Sequence, residues 1–473
     1  MVNRLIVEGA VPKVSGQAPE RLEISVFLKD IRQFSLYIQA LVALYSQDRN
    51  DPASFWQIAG IHGQPYVDYD GTPCDGNEYC VHSTDLFSPW HRPYVVLFEQ
   101  EIQKLAREIA STYKYDCDSW MESAAALRQP YWGWDKMESV VPPDEIIVET
   151  NVQIMKPDCK SLVFVPNPFL TYYYPEGGNS SFVEHFKFRP NTSRYPNTNW
   201  ISQTTMLKAA LRAEAPAIVE NTQRLFSLKT WHDFTLGSNG TTGLEGIHNT
   251  IHSTTGGAKG NMAYIEVAGK FKVERKTQTD YWQSPGIVDT ADTFNYQYAG
   301  RAPKASSSED VAEPAEVALE EYSHAPTSGT ILEWSIRVQC KPFALGGSFS
   351  VYIFLAPTVP PTDSAQWLFD PTFAGTVDVF ANTNPEQCAN CTSHANELIK
   401  GFVHINRIFK SRSGAHSIDP DAVLPYLRSN LSWGVVKASG EVVEIEKLPS
   451  LEVTAMYTPL KPEITRGRTG GHL

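Results

Sequence analysis

Between Tyr79 and Glu99 the chain places a cysteine and two histidines around a short aromatic loop, Tyr79-Cys80-Val81-His82 through Ser88-Pro89-Trp90-His91-Arg92-Pro93-Tyr94. An apolar helical run follows. Ser88 suits a helix N-cap and Pro89 the first helical position, where its missing N–H removes nothing the helix needs. His91 is then expected in the first turn of a helix, its ring position set by the backbone. His82 lies in the loop before it and needs another restraint, which Cys80, two residues earlier, can supply. His62, in Ala59-Gly60-Ile61-His62-Gly63, follows the amphipathic run ending at Phe55-Trp56. Any one of these can be an ordinary polar histidine. Three imidazoles on two helices and a loop, beside Trp90-His91-Arg92, make a nitrogen-only metal pocket suited to copper, zinc, iron or nickel.

A chain of 473 residues exceeds one typical core, so two or three domains are expected. Apolar content of 42% with 20% charged residues describes a soluble globular protein, and the net charge of −13 argues against nucleic acid or an anionic membrane as a main partner. Apolar runs stop short of membrane-spanning length. Glu8 interrupts the apolar start, which is therefore unlike a signal peptide. Seven thinly spread cysteines fit a reducing compartment, and an intracellular, cytoplasmic location is expected.

Along the chain, helical spacing of apolar residues runs from Glu23 to Ser46, from Ser88 to about Lys114, over Asp118–Leu127, over 201–229 and from Thr241 to Ser253, with Gly256-Gly257 as the stop. Residues 1–20 read as an extended arm or edge strand, and 140–200, rich in Pro, Asn, Tyr and Ser, as a long irregular loop. Composition shifts to a solvated acidic linker at 301–330. Beyond it strand-like alternation takes over at Ile331–Val338, Ser348–Phe354, Gly375–Phe380, Gly401–Ile405, Trp433–Val436 and Glu441–Glu446. The expected architecture is a mainly helical domain (1–300), the linker, and a β-sandwich domain (331–473).

Leu244-Glu245-Gly246-Ile247-His248-Asn249-Thr250-Ile251-His252 sets His248 and His252 four apart on one helix face, a common grip on a transition metal. With the first three, five imidazoles can converge in the core of a helix bundle. These blocks, with Pro130–Asp135, Gly256-Gly257, Phe294-Asn295-Tyr296-Gln297-Tyr298 and Cys388-Ala389-Asn390-Cys391, resemble the fungal tyrosinases, the type-3 copper family of polyphenol oxidases, in that family's order.

The resemblance implies a four-helix core holding two copper ions, each by three histidines, that uses dioxygen to hydroxylate phenols and oxidise catechols to o-quinones, as in melanin or other phenolic metabolism. His62, His82 and His91 match the copper-A ligands, and His248 and His252 the first two of copper B. Cys80 matches the cysteine that forms a thioether with the loop histidine, here His82; the alternative is a plain buried thiol. Glu245 and Asn249 match a pair that holds a water for deprotonating monophenols, although Thr242-Gly243-Leu244-Glu245 is equally a capping box. Ile265 falls where the family has a gate over copper B, or is an ordinary core aliphatic. Cys388 and Cys391 match thiols that help load copper. Phe380 is a candidate for the aromatic plug that the C-terminal domain inserts until a protease cuts the linker. Implied partners are small phenols, dioxygen, that protease and a second copy of the chain; nucleic acid and membrane are not among them.

One block departs from the family. A segment with a His-His dipeptide and a following Asp-Arg should supply the third copper-B ligand; here Ala268-Gly269-Lys270-Phe271-Lys272-Val273-Glu274 stands instead, with no histidine between His252 and His324. Copper B then has two protein ligands, and a bundle helix is missing with the block. A two-imidazole site is weaker and its geometry unset, so impaired or absent oxidase activity is expected. The alternatives are a catalytically dead copper-binding relative serving storage, delivery or regulation, and a reversible dioxygen carrier.

Overall fold

Asp30 ends one helical run and starts another. Its carboxylate accepts from the Arg32 and Gln33 N–H groups at 3.1 and 3.0 Å, so the single helix expected from Glu23 to Ser46 is two, α1 (Ile24–Phe27) and α2 (Ile31–Tyr45). The computed structural model describes residues 5–11, 18–74, 79–175, 189–238, 240–257, 283–284, 290–298, 331–381, 392, 395–415 and 417–460. The remaining helices of the N-terminal part are α3 (Phe55–His62), α4 (Phe87–Ala110), α5 (Cys117–Ala126), α6 (Asp144–Ile147), α7 (Thr204–Leu225), α8 (Trp231–Leu236), α9 (Leu244–Gly256) and α10 (Thr290–Phe294). Short strands β1 (Glu20–Arg21), β2 (Asn151–Ile154), β3 (Val163–Pro166), β4 (Gly237–Ser238), β5 (Thr241–Thr242) and β6 (Gln297–Tyr298) tie loops together; β1 pairs with β6 in parallel. The stretch 140–200 is thus not wholly irregular, since β2 and β3 form an antiparallel ladder from Asn151↔Pro166 to Ile154↔Val163.

Among the described residues, three large apolar cores organise this part. Leu36, Ile38, Leu41 and Leu44 of α2 pack with Ile102 and Ala106 of α4 and Trp120 of α5. Ile58 and Ile61 of α3 pack with Trp90, Val96 and Leu97 of α4. Leu207, Leu211, Ala215 and Ile218 of α7 pack with Ile247 and Ile251 of α9. Helix α4 serves two of the cores, its N-terminal half packing with α3 and its C-terminal half with α2 and α5.

Two antiparallel sheets make the C-terminal part: β10–β7–β13 and β12–β11–β8–β9, from β7 (Ile331–Cys340), β8 (Phe349–Leu355), β9 (Phe373–Val379), β10 (Ile399–His404), β11 (Leu431–Lys437), β12 (Val442–Val443) and β13 (Glu452–Leu460). Period-two alternation turns Trp334, Ile336 and Val338 of one sheet and Phe349, Val351 and Ile353 of the other into one shared core. Two helices absent from the sequence expectation, α11 (Asn406–Ser413) and α12 (Pro420–Asn430), close it with Phe409, Val423 and Leu427.

The two parts touch along α7, α9 and β9. Arg224 of α7 pairs with Glu333 of β7. Thr242 Oγ1 exchanges hydrogen bonds with the Phe402 backbone, both at 3.3 Å. Among the described residues no helix is long and apolar enough to cross a membrane. The linker 301–330 and the block after His252 lie outside the described residues.

Candidate metal centre

Helix α3 is capped by Ser54, whose hydroxyl accepts from Gln57 N–H at 3.2 Å, and it ends on His62. Helix α4 begins two residues earlier than a cap at Ser88 predicts: Leu86 is the cap residue, without a side-chain bond, and Thr84 Oγ1 accepts from Leu86 N–H at 3.2 Å. Ser88 and Pro89 therefore lie inside the first turn, and Pro93 is buried within the helix. His91 is the fifth residue of α4, in the second turn. Its Nδ1 donates to the Phe87 carbonyl at 2.6 Å, which leaves a lone pair on Nε2.

That Nε2 lies 2.9 Å from His62 Nε2. The His82 ring centres 5.2 Å from His91 and 6.0 Å from His62. Cys80 Sγ is 3.6 Å from His82 Nδ1, both residues buried. His62, Cys80 and His82 each offer a ligand atom within 4.8 Å of the others. Tyr94 stacks on His62 at 5.1 Å and holds the ring plane.

On α9, His248 and His252 face each other with Nε2 atoms 2.9 Å apart. Gly243 starts this helix: a Cβ there would lie 2.4 Å from the Gly237 nitrogen, so β4 packs this closely only against glycine. His248 centres 6.0 Å from His82 and 6.1 Å from His91, which joins the two groups into one cluster of five rings. Asn249 Oδ1 lies 3.1 Å from His248 Nδ1, and Asn249 Nδ2 donates to the Asp378 carbonyl at 3.4 Å. Glu245 closes no capping box, because the cap residue is Gly243; its two oxygens accept from Ser83 N–H at 2.7 and 2.9 Å. Phe380, just past β9, centres 5.6 Å from His252, 6.3 Å from His248 and 6.4 Å from His82. A cavity of about 510 Å³ between the two parts reaches His82, Glu245, Asn249 and Phe380.

The donor set fits nitrogen-bound copper. Two imidazole nitrogens brought to 2.9 Å, one of them fixed as a lone-pair donor, suit a shared first-row ion with bonds of about 2.0–2.1 Å. Of the other described histidines, His232 pairs with Asp85 at the surface and His404 with Glu333. Glu220, Glu333 and His404 also converge, but Arg224 already bridges both carboxylates there. Burial disfavours ionised Glu333, yet His404 and Arg224 hold its carboxyl below the usual range. Ile265, Cys388 and Cys391 lie outside the described residues. Ser83 and the Phe87 carbonyl carry no side-chain signal of their roles; only the four-residue step from Phe87 to His91 hints at one.

Residues 52–270 match the family described as the common central domain of tyrosinase, and residues 333–455 the tyrosinase C-terminal domain. Polyphenol oxidase 4 of Agaricus bisporus is 28% identical over 94% of this chain and 85% of its own. A tyrosinase of Neurospora crassa is 22% identical over 98% and 97%. The structure of recombinant mushroom tyrosinase superposes with a TM-score of 0.76 at 25% identity, covering 96% of this chain and 95% of that one. The apo-protyrosinase of Aspergillus oryzae, at 18% identity and a TM-score of 0.70, shares the fold. With both domains matched in order and five histidines gathered where they meet, this chain belongs to the fungal tyrosinase family.

Proposed function

We propose that the protein is a copper oxidoreductase that acts on monophenols and o-diphenols to give o-quinones, with copper A held by His62, His82 and His91 and copper B by His248 and His252. The convergence of five imidazoles from α3, α4, α9 and the loop at His82 carries this proposal. Bound copper supplies the activation of dioxygen and the electron balance of phenol oxidation. The chain's own residues do the rest. The Phe87 carbonyl fixes the tautomer of His91, Asn249 orients His248, and the cavity is large enough for a single phenolic ring. Phe380 stands over three of the rings and shields them until the linker at 301–330 is cut. The 3.6 Å approach of Cys80 to His82 supports a thioether between them, which a tryptic peptide lacking two hydrogens would reveal.

A second proposal, a copper-binding relative with little turnover, is favoured by one observation: no histidine occurs between His252 and His324 to complete copper B. Copper analysis of the purified chain with catechol oxidation before and after limited proteolysis decides between them. Copper at both groups with turnover rising on cleavage supports the oxidase. Copper at the first group alone, without turnover, supports the second. A chain that takes up no copper ends both.

A further inference from the structure

We infer that Glu245 is a positioning residue: its carboxylate, by accepting the Ser83 amide, sets how far His82 of the first histidine group stands from His248 of the second. The inference rests on these five histidines being the copper ligands.

Glu245 is 4% exposed, and both of its oxygens lie on one backbone N–H, at 2.7 and 2.9 Å, across 162 residues of sequence. That amide belongs to the peptide that immediately follows His82. Holding its plane holds the Cα from which the His82 ring projects. At the other end Glu245 is three residues before His248 on α9, one turn away on the same helix face. The hydrogen bond therefore spans the two groups on the side where their rings come together, His82 and His248 lying nearly parallel at 23° and 6.0 Å. A bond from an amide to a carboxylate is among the stronger ones available to a loop.

The loop is built to make this contact. Ser83 has a φ of 57°, in the left-handed region that residues with a Cβ adopt only against steric resistance. Such a conformation persists where surrounding contacts over-determine it, and the Glu245 carboxylate is one such contact. On the far side of the same peptide Cys80 restrains the His82 ring. His82 is thus held from its sulfur neighbour on one side and from the opposite helix on the other.

Two substitutions in the full-length protein separate acceptor length from charge. Glu245→Gln keeps the chain length and one acceptor oxygen toward Ser83. Glu245→Asp keeps the charge but is one methylene too short to reach. The first readout is hydrogen exchange at the 81–87 segment of the copper-free protein. Wild type and Glu245→Gln are expected to protect the Ser83 amide, and Glu245→Asp to exchange about tenfold faster, with α4 and α9 unchanged as the control for folding. The second is copper retention against a chelator, expected to follow the same order, with Gln rescuing what Asp loses. Equal exchange in all three, or a Glu245→Gln protein that loses copper as fast as Glu245→Asp, overturns the inference. If Glu245→Asp does not fold, Glu245→Gln alone decides: loss of Ser83 protection there refutes the strut. Uptake of Cu(II) by the wild type is measured separately. Its failure removes the copper assignment, while the exchange of the Ser83 amide still answers for the contact.

Discussion

The two histidine groups are built on opposite plans. The first takes one ring from the last residue of α3, one from a loop and one from the second turn of α4. Each has a local restraint: Tyr94 on His62, Cys80 and the Ser83 peptide on His82, the Phe87 carbonyl on His91. All of these lie in the helical part. The second group takes both rings from one 13-residue helix, where the four-residue step alone brings them together. Its surroundings come from both parts, Phe87 of α4 at 4.9 Å from His248 on one side and Phe380 on the other, with the Asp378 carbonyl accepting from the adjacent Asn249. A set of rings dispersed over three elements is preorganised by the fold, whereas a pair on one helix is brought together by its own periodicity.

The largest effect expected from this difference is on metal binding. His91→Ala removes the fixed lone pair of the preorganised group and should abolish most copper uptake, a loss beyond the about 10–100-fold that an outer-sphere partner costs. His252→Ala removes one ring of the pair carried on a single helix and should remove the smaller share. Copper counted after exhaustive dialysis of both variants checks this, and equal losses would break the comparison. Next is Phe380→Ala. A buried aromatic cut to alanine costs about 3–5 kcal/mol in a rigid core. Here the ring bridges two domains, so unfolding in urea should shift by that amount or less. Azide should reach copper faster, while copper content at the first group is unchanged.

How much was legible in the sequence follows the same division. The i, i+4 pair, the helices around it and the alternation of β7 and β8 show in residue spacing, because these are local periodicities. What the spacing does not carry is where elements meet. Glu245 satisfies a capping pattern by its neighbours, and only the tertiary approach of the loop at Ser83 gives it another partner. Asp30 divides an apolar stripe that looks continuous, because capping depends on backbone angles that the stripe does not encode. Helices α11 and α12 give little periodic signal because each buries little, Phe409 in one and Val423 and Leu427 in the other, and carries charge elsewhere. Phe380 is a candidate plug by resemblance alone; its seat over the rings depends on how β9 lies against α9.

A smaller effect should appear with pH on the side shared with the sandwich. Glu214 of α7 and Asp378 of β9 are buried together, 2% and 6% exposed, with Thr376 Oγ1 at 3.3 Å from an oxygen of each. Burial, then the neighbouring Asp378, pushes the Glu214 carboxyl up to about 8. Burial raises Asp378 as well, against hydrogen bonds from Ser350, Ser253, Thr250 and Thr376. Tyr195 and Tyr352 face the pair from the helical part and from β8, and Lys437, paired with Glu441, lines the same small cavity. Both shifts are upward, so the folded state holds protons that the unfolded chain releases. The pair's contribution is intact below about pH 4.5 and is lost as pH rises toward about 8, on the order of a few kcal/mol. Urea midpoints should therefore fall across that range, and Glu214→Gln should flatten the fall. A slope unchanged by Glu214→Gln would show that the domain contact does not depend on the Glu214 proton.

The smallest effect belongs to a histidine near the site but outside either group. His232 lines the same cavity as His82 and Glu245, yet its ring bonds Asp85 at 2.9 Å with both side chains half exposed or more. Solvent screens such a pair, so His232→Ala should change stability by no more than about 0.5 kcal/mol. It should leave copper content unaltered, because proximity to the cavity is not convergence of a ring nitrogen on the other five. Copper analysis and a urea curve on this one variant test whether the division between ligands and bystanders lies where the ring positions put it. A clear loss of copper would add a sixth imidazole to the centre.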